Sequence, residues 1–257
     1  MSPIQTTHFS KDAASASEVM AHPESFKLKY FQIFGLGQTC RDMLSYAGAK
    51  WEDTYPGDWN AEKALTPFGC LPLLFIRKGD KEIVISESIP VESYLARQFG
   101  LLGDNEYEET LIKAFHSSSF TLMGAFGSFV TWNQPEARDK CYEMFKQNML
   151  ANWIASHEKH LVDNGSNGHY IRDKASPGSR LSLADIKTTN LIEHFIGQPE
   201  GKEIVGIIRE SPALWKLYET VINHPKLASW RSSDAFKTLE ENTTQFYKDP
   251  MAAISKF

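Results

Sequence analysis

Residues 69–100 read GCLPLLFIRKGDKEIVISESIPVESYLARQFG, and this stretch decides the fold. Its apolar run Leu71–Ile76 has the length of a strand, and Lys81–Ser86 is predicted to be a second strand. Arg77–Asp80 between them contains Gly and Asp, which are typical of a hairpin turn. The apolar spacing over Ile89–Phe99 then predicts a helix. The stretch is therefore predicted to fold as a β-hairpin followed by a helix.

The segment before this hairpin predicts two further strands. Polar and apolar side chains alternate over Lys27–Ile33, which is typical of a half-buried strand. Apolar residues at helical spacing follow over Thr39–Gly48, and a short strand is predicted over Trp51–Thr54. The order β-α-β followed by β-β-α implies one sheet that carries its own helices.

From residue 106 onward the periodicity is almost wholly helical. Helices are predicted over Tyr107–Phe129, Pro135–Leu161, Leu183–Phe195, Ile204–Ile208 and Ala213–Ile222. Before the last three of them, Ser182 and Asp185 form an S-x-x-D pattern that predicts a capped helix start. The fold class is therefore an N-terminal α/β domain followed by an all-helical domain.

These patterns divide the chain into four segments. The α/β domain is predicted over residues 26–103 and the helical domain over 104–233. A polar extension, residues 1–25, precedes them, with a short helix expected near its middle. A tail, residues 234–257, has enough apolar residues to fold over a pocket of the protein or over a partner chain, although a solvated tail fits the sequence equally well. The Gly-, Ser- and Asn-rich stretch 163–180 is predicted to be an insertion or a lid.

The composition excludes several classes of protein. Of the 257 residues, 42% are hydrophobic and 23% are charged, which is ordinary for a globular protein. The net charge of −5 offers no basic surface to nucleic acid, and no apolar run is long enough to span a membrane. The three cysteines match no zinc or redox spacing, and the N-terminal stretch has no apolar core typical of a secretory signal. A cytoplasmic protein is therefore expected.

Three features carry chemistry, and each also has a purely structural explanation. The Leu71–Pro72 bond is either cis, which would offer the backbone of Leu71 to an extended peptide, or trans at an ordinary strand start. Glu87 and Ser88 precede a helix whose free amides attract a carboxylate, but Ser88 is also an ordinary N-cap. Tyr30 lies on a strand just before a turn, where a phenol more often packs than reacts. Singly, none of these features identifies a function.

Taken together, the motifs resemble the glutathione transferases, and most of all their tyrosine-type, sigma-like branch. The resemblance covers Phe26 to Trp230, is dense through residue 103 and is thin in the helical half. It implies a thioredoxin-like first domain that binds glutathione, a helical second domain that lines the pocket for a hydrophobic electrophile, and a homodimer. The motifs that carry it are KLKYFQIFGLG (27–37), DW followed by Lys63, TPFGCLPLL (66–74), SESIPVESYLARQFGLLG (86–103) and SLADI (182–186).

The resemblance also implies roles for single residues. Tyr30 matches the tyrosine whose hydroxyl stabilises the glutathione thiolate. In the glutathione site, Lys63 would face the glycyl carboxylate, the backbone of Leu71 would pair with the cysteinyl moiety, and Glu87 would contact the γ-glutamyl group. The full glutathione-binding set is Tyr30, Trp59, Lys63, Leu71, Pro72, Glu87 and Ser88, and the electrophile site is expected to contain Phe31, Met123, Lys187 and Leu191.

Glutathione is thus the expected co-substrate, and the chemistry requires no metal. A free thiol has a pKa of about 8.5, so that making it mostly thiolate at neutral pH needs a shift of about two units, or roughly 2.7 kcal/mol. One hydrogen bond to a charged acceptor contributes about 1.5–3 kcal/mol, and a helix N-terminus roughly 0.3–1 kcal/mol. A single tyrosine beside a favourable helix end is therefore sufficient.

Three positions depart from the family pattern and leave alternatives open. Leu36 stands where tyrosine-type members often have an Arg, which puts the strength of catalysis in doubt. Cys70 beside the site is either an unreactive, partly buried cysteine or one that forms a mixed disulfide with glutathione. Cys40 lies near the position where cysteine-type relatives have a nucleophile, which would make the protein a thiol transferase. The leading hypothesis is conjugation of glutathione to an electrophile in detoxification; a glutathione-dependent isomerase and a catalytically silent glutathione-binding or structural relative are the alternatives.

Overall fold

The computed structural model describes residues 8–171, 180–250 and 253. Its four-stranded sheet has the order β2-β1-β3-β4, in which β1 and β2 are parallel and the other pairs are antiparallel. This mixed sheet with its helices is the thioredoxin-like arrangement that the sequence predicts. The strands are β1 (Ser25–Lys29), β2 (Trp51–Thr54), β3 (Leu73–Lys78) and β4 (Lys81–Ser86).

Strand β1 begins two residues earlier and ends four residues earlier than the alternating pattern predicts. Tyr30 still donates its amide to the carbonyl of Thr54, but the chain then bends away from the sheet. The cause is Arg41, a fully buried side chain of the next helix. Its guanidinium donates to the carbonyls of Phe31 and Ile33, at 3.0 and 2.7 Å, so these groups are satisfied without a neighbouring strand.

Two helices cover one face of the sheet. They are α2 (Gln38–Tyr46) and α4 (Ser88–Gln98), and a short helix, α3 (Trp59–Glu62), lies in the connection between β2 and β3. The N-cap position of α4 is Glu87, whose φ is 74°, and Ser88 is its first helical residue. The prediction that Ser88 is the N-cap was therefore wrong by one residue. The N-terminal extension contains α1 (Ala13–Ala21), which Asp12 caps and which packs on β3 and β4.

The second half of the described chain is helical, and α8 (Leu183–Ile196) runs through its centre. Every residue from Leu183 to Phe195 in α8 is buried, and the capping box between Ser182 and Asp185 is present, as the S-x-x-D pattern predicts. Two predicted long helices are interrupted by π-helical segments, at Gly127–Thr131 and Phe145–Leu150. The helices are α5 (Glu106–Phe126), α6 (Pro135–Met144), α7 (Ala151–Asp163), α8 (Leu183–Ile196), α9 (Gly201–Arg209), α10 (Pro212–Ile222) and α11 (Pro225–Arg231).

The tail folds back onto the N-terminal half as α12 (Asp234–Lys248). Two hydrogen bonds fix it to the segment that follows β1. Thr243 Oγ1 accepts from the amide of Phe34 at 2.7 Å, and Asn242 donates to the carbonyl of Gln32 at 3.0 Å. The rings of Phe34 and Phe236 lie 5.1 Å apart. Of the two arrangements open from the sequence, the packed tail is the one observed up to Lys248.

Part of the predicted insertion, residues 172–179, lies outside the described residues, as do the first seven residues and most of the chain after 250. Of the insertion's described residues, His169 and Tyr170 are buried against α8, where the amide of Tyr170 donates to Asp185 at 2.9 Å. In the part of the chain that is described, none of the helices combines the length and apolar character needed to cross a bilayer.

Candidate functional site

The hydroxyl of Tyr30 is the centre of the site. Tyr30 follows β1 directly and is 7% exposed, and its Oη accepts a hydrogen bond from the amide of Leu36 at 3.0 Å. Because this bond uses a lone pair of the oxygen, the hydroxyl proton remains available for another acceptor. The residue that stands where an Arg is expected thus binds the phenol through its backbone amide.

Two glycines hold the ring of Tyr30 in place. A Cβ at Gly35 would lie 2.6 Å from Tyr30 Oη, and a Cβ at Gly37 would lie 2.7 Å from Tyr30 Cδ1. Gly35 also has a φ of +40°, which side-chain-bearing residues rarely adopt. The Gly35-Leu36-Gly37 turn is thus shaped around the phenol, and only residues without a side chain permit that close approach.

The pKa of Tyr30 is raised, and burial is the main cause. The amide of Leu36 and the charge of Arg41, whose guanidinium lies 5.8 Å from the ring centroid, act in the opposite direction. With a pKa above its ordinary value near 10, Tyr30 is protonated at neutral pH. The group at the centre of the site is therefore a hydrogen-bond donor.

The Leu71–Pro72 peptide bond is cis. Sheet pairing of β3 begins only at Leu73, so Leu71 lies outside the paired register. Leu71 belongs to the same apolar cluster as Tyr30, together with the partly buried rings of Phe31 and Trp59. The ring of Phe31 lies edge-on to both Tyr30, at 5.5 Å, and Trp59, at 5.4 Å.

The polar residues expected at the glutathione site surround this cluster. Ser88 is buried at the first turn of α4, and Glu87 is exposed beside it. Glu87 Oε1 accepts a hydrogen bond from the thiol of Cys70 at 2.8 Å, which ties the start of α4 to the residue before Leu71. Lys63 is exposed after α3, with its aliphatic stem next to Gly69. The structure thus brings Trp59 and Leu71 into the apolar cluster of Tyr30, and Glu87 next to the residue before Leu71.

Neither cysteine near the site is activated. Burial, together with the carboxylate of Glu87, raises the pKa of Cys70 to about 11. Cys40 is fully buried, and burial raises the pKa of its thiol far above the ordinary value. Since the thiolate is the reactive form, these surroundings disfavour both the mixed disulfide and the thiol-transferase mechanism.

A cavity of about 360 Å³ opens beside Tyr30, between the two halves of the chain. Met123, which the sequence predicts for the electrophile site, lines it. Phe31, predicted alongside it, lies next to Tyr30 in the apolar cluster described above. The other lining residues are Tyr30, Gly35, Leu36, Phe120, Gly124, Gly127, Ser128, Thr131, Trp132, His194 and Tyr247.

Lys187 and Leu191 are not among the residues that line this cavity. Lys187 is 1% exposed, and its Nζ pairs with Glu92 Oε1 at 2.9 Å beneath the ring of Phe120. Leu191 is likewise 1% exposed and belongs to the main core. The structure therefore places Lys187 in the contact between α8 and the N-terminal half, with Glu92 as its structural partner, and Leu191 in the main core.

Most of the cavity wall was missed from the sequence, including Phe120, Trp132, His194 and Tyr247. His194 lies two turns after Lys187 on α8, and Trp132 directly follows the π-helical segment Gly127–Thr131. For Tyr247, the apolar spacing of Phe236, Leu239 and Phe246 in the tail is a signal of a packed helix. That spacing does not tell which surface the helix covers.

Among the described residues, no group of three or more His, Cys, Asp or Glu side chains is placed to hold a metal ion. The side chains that surround the cavity are aromatic, aliphatic, hydroxyl or imidazole groups. The arrangement suits binding of a thiol beside a phenol and of an apolar molecule next to it.

Comparison with known proteins agrees with this geometry. Residues 122–234 match the family model for the glutathione S-transferase C-terminal domain. S-crystallin SL11 from Nototodarus sloanii is 29% identical over 220 residues, which is 82% of this chain and 99% of that protein. The solved structure of prostaglandin synthase D from Nilaparvata lugens, 24% identical, has the same fold with a TM-score of 0.67, covering 82% of this chain and 98% of that one.

The similarity extends to overall sequence as well as fold. Glutathione S-transferase 1 from Ascaris suum is 45% identical over 200 residues, which is 74% of this chain and 94% of that protein. Identity of this degree along nearly the whole length of the relative, with the matching helical domain and the same fold, is decisive. The chain belongs to the glutathione S-transferase family.

Proposed function

We propose that the chain is a sigma-like glutathione transferase in which Tyr30 holds the glutathione sulfur as a thiolate for attack on a hydrophobic electrophile. The observation that carries the proposal is Tyr30, which lines the cavity and whose hydroxyl accepts from the amide of Leu36, so that its proton is left for another acceptor. A thiolate beside it would accept that proton in a charge-assisted hydrogen bond, which contributes about 1.5–3 kcal/mol.

The glutathione tripeptide would lie along the cleft between Trp59 and the start of α4. Its γ-glutamyl carboxylate would bind at the N-terminus of this eleven-residue helix, where Ser88 and the free amides donate and the helix dipole favours a negative charge. The unpaired backbone at Leu71, before cis Pro72, would pair with the cysteinyl moiety, and Glu87 would accept from the γ-glutamyl ammonium. Lys63 would face the glycyl carboxylate.

The electrophile would occupy the cavity between the two halves. Phe120, Met123 and Trp132 give it apolar walls, and Phe31 adjoins the thiol position. An apolar lining of this kind binds aromatic or aliphatic molecules and excludes hydrated ones. The substrate class is therefore a small hydrophobic electrophile, as expected of a detoxification enzyme.

Conjugation of benzyl chloride tests this function directly. The purified chain is expected to consume one glutathione for each molecule of electrophile, measured as loss of free thiol and gain of the conjugate by mass spectrometry. An isomerase would instead convert a prostaglandin endoperoxide with the free glutathione unchanged. A silent relative would bind glutathione without forming any conjugate, and that result would contradict the proposal.

The Gly37→Ala variant tests whether the position of the Tyr30 ring matters. The added Cβ would lie 2.7 Å from Tyr30 Cδ1, so the ring must shift. A shift of the order of 1 Å at a reacting group costs up to about 100-fold in rate, and we expect kcat/KM to fall at least about tenfold. Gly206→Ala in α9, where nothing lies within 4 Å of the added atom, is the matched control. Equal activity of the two variants would show that the turn does not position the phenol.

The proposal includes a cytoplasmic homodimer. The support is the resemblance of residues 26–230 to a family whose members usually assemble in pairs. Light scattering on the purified chain is expected to give twice the mass of one chain, and a single-chain mass would contradict this part of the proposal.

A further inference from the structure

The predicted insertion, residues 163–180, contains both Asn-Gly pairs of the chain, Asn164–Gly165 and Asn167–Gly168. In such a pair the backbone nitrogen of the glycine can attack the side-chain carbonyl carbon of the asparagine, because glycine has no side chain to obstruct the approach. The asparagine then becomes aspartate or isoaspartate, and this reaction is one reason why asparagine is a thermally labile residue. Since the two pairs have the same local chemistry, the fold decides which of them reacts.

The end of α7 protects Asn164. The side-chain nitrogen of Asn164 donates to the carbonyls of His169 and Tyr170, at 3.0 and 3.1 Å. The backbone nitrogen of Gly165, which would be the nucleophile, donates to the carbonyl of Val162 at 2.9 Å. Ring closure at Asn164 must therefore break hydrogen bonds of both reacting groups.

Asn167 is held in a way that favours the reaction. Its Oδ1 accepts from the amide of His169 at 3.1 Å, and the ring closed by this hydrogen bond includes both Asn167 Cγ and the nitrogen of Gly168. The same bond withdraws electron density from the carbonyl that would be attacked. Among the described residues, neither the buried Nδ2 of Asn167, which would leave, nor the amide of Gly168 has a hydrogen-bond partner.

The fold also requires the glycine that makes Asn167 reactive. Gly168 has a φ of +86°, and a Cβ there would lie 2.2 Å from Thr220 Oγ1. The hydroxyl of Thr220 is itself held, because it donates to the carbonyl of Lys216 at 2.8 Å. A residue with a side chain, which would slow ring closure, is therefore excluded by both the backbone conformation and the packing.

We propose that Asn167 is a site of spontaneous deamidation in the folded protein. The nitrogen of Gly168 forms a bond to Asn167 Cγ and gives its proton to hydroxide. The bond from Cγ to Nδ2 breaks with its electron pair on the nitrogen, which takes a proton from water and leaves as ammonia. Water then opens the cyclic imide, and residue 167 becomes aspartate or isoaspartate. Water is the only co-reactant.

The reaction would place a negative charge beside a buried carboxylate. Consecutive amides bind the two side chains: His169 donates to Asn167 Oδ1, and Tyr170 donates to Asp185 Oδ1 at 2.9 Å. A carboxylate at residue 167 would also put a charged oxygen in the buried position of Nδ2. Repulsion between like charges and loss of hydration both oppose this arrangement. Deamidation is therefore expected to weaken the contact between the insertion and α8.

Mass spectrometry of the chain incubated at mildly alkaline pH tests the proposal, because fragmentation locates each exchange of an NH2 group for OH. In the folded chain Asn167 is expected to react about 5–100-fold faster than Asn164, whose two side-chain hydrogen bonds must break first. In urea, where both pairs are unfolded, the two rates should be similar. Asn167→Gln, which cannot form the same ring, should abolish the modification at residue 167 and leave that at Asn164 unchanged.

Equal rates at the two asparagines in the folded chain, or a faster reaction at Asn164, would overturn the proposal. So would an unmodified Asn167 in the folded chain after a period in which urea converts both sites.

Limited proteolysis tests the consequence for the insertion, because cleavage reports how often the segment opens. Asn167→Asp, which creates one of the two products directly, is expected to be cleaved within residues 163–180 about 5–100-fold faster than Asn167→Gln. Equal cleavage of the two variants would contradict the weakened contact with α8.

Discussion

Replacing Tyr30 with Phe is expected to lower kcat/KM for glutathione conjugation by about 10–100-fold. The variant removes the one hydroxyl that we propose for the thiolate, and a hydrogen bond to a charged acceptor contributes about 1.5–3 kcal/mol, at roughly tenfold in rate for each 1.4 kcal/mol. The ring itself keeps its place, because Gly35 and Gly37 pack around its carbon atoms. Steady-state kinetics with benzyl chloride measure the loss.

Tyr94→Phe is the control for this variant. It removes another phenol of the N-terminal half, one whose hydroxyl donates to the carbonyl of Met20 away from the cavity. We expect turnover close to that of the parent. If Tyr30→Phe also kept its turnover, the thiolate would have another donor and the role assigned to Tyr30 would be wrong.

The Lys187→Met variant is expected to lose about 3–5 kcal/mol of the free energy of unfolding. The ammonium of Lys187 pairs with the fully buried carboxylate of Glu92, which also contacts His116. Burial alone would raise the pKa of Glu92, yet this pKa is lowered, because Lys187 and His116 favour the charged form. Removing Lys187 leaves the buried carboxylate with His116 as its remaining partner, and breaking a buried ion pair is among the costliest single changes in a protein. Denaturant unfolding measures the effect.

A double variant separates the contribution of the ion pair to stability from the other contributions of the Lys187 side chain. Adding Glu92→Gln to Lys187→Met removes both charges, and we expect it to recover much of the lost stability. Lys159→Met, which breaks an exposed pair with Asp163, should cost less than about 0.5 kcal/mol. If Lys187→Met unfolded like the parent but lost turnover, Lys187 would belong to the electrophile site, as the sequence suggests.

The sequence predicts the N-terminal half well because its signals are local. The hairpin of β3 and β4 follows from apolar runs around a Gly-Asp turn, and β4 has the predicted bounds Lys81–Ser86. The S-x-x-D pattern at Ser182 likewise specifies its own helix start. In each case the residues that decide the structure lie within a few positions of one another.

The predictions that were wrong depend on contacts between residues that are far apart in the sequence. Alternation continues past Lys29, but the side chain of Arg41 binds the carbonyls there and ends the strand. The spacing of apolar residues in α8 cannot show that Lys187 binds Glu92, because Glu92 lies 95 positions earlier in the sequence. The two side chains meet only in the contact between the two halves. Tyr247 enters the cavity because the tail folds back across more than 200 positions to Gln32. Such contacts depend on the assembled fold and leave no local pattern.

The most direct test of the central claim is the thiol pKa of bound glutathione, followed by the ultraviolet absorbance of the thiolate as the pH is raised. In the parent we expect a pKa lowered by about two units from the free value of about 8.5, and in Tyr30→Phe a return close to the free value. An unshifted pKa in the parent would contradict the account. In that case the amide of Leu36 would not compensate for the missing arginine, and the protein would bind glutathione without activating it.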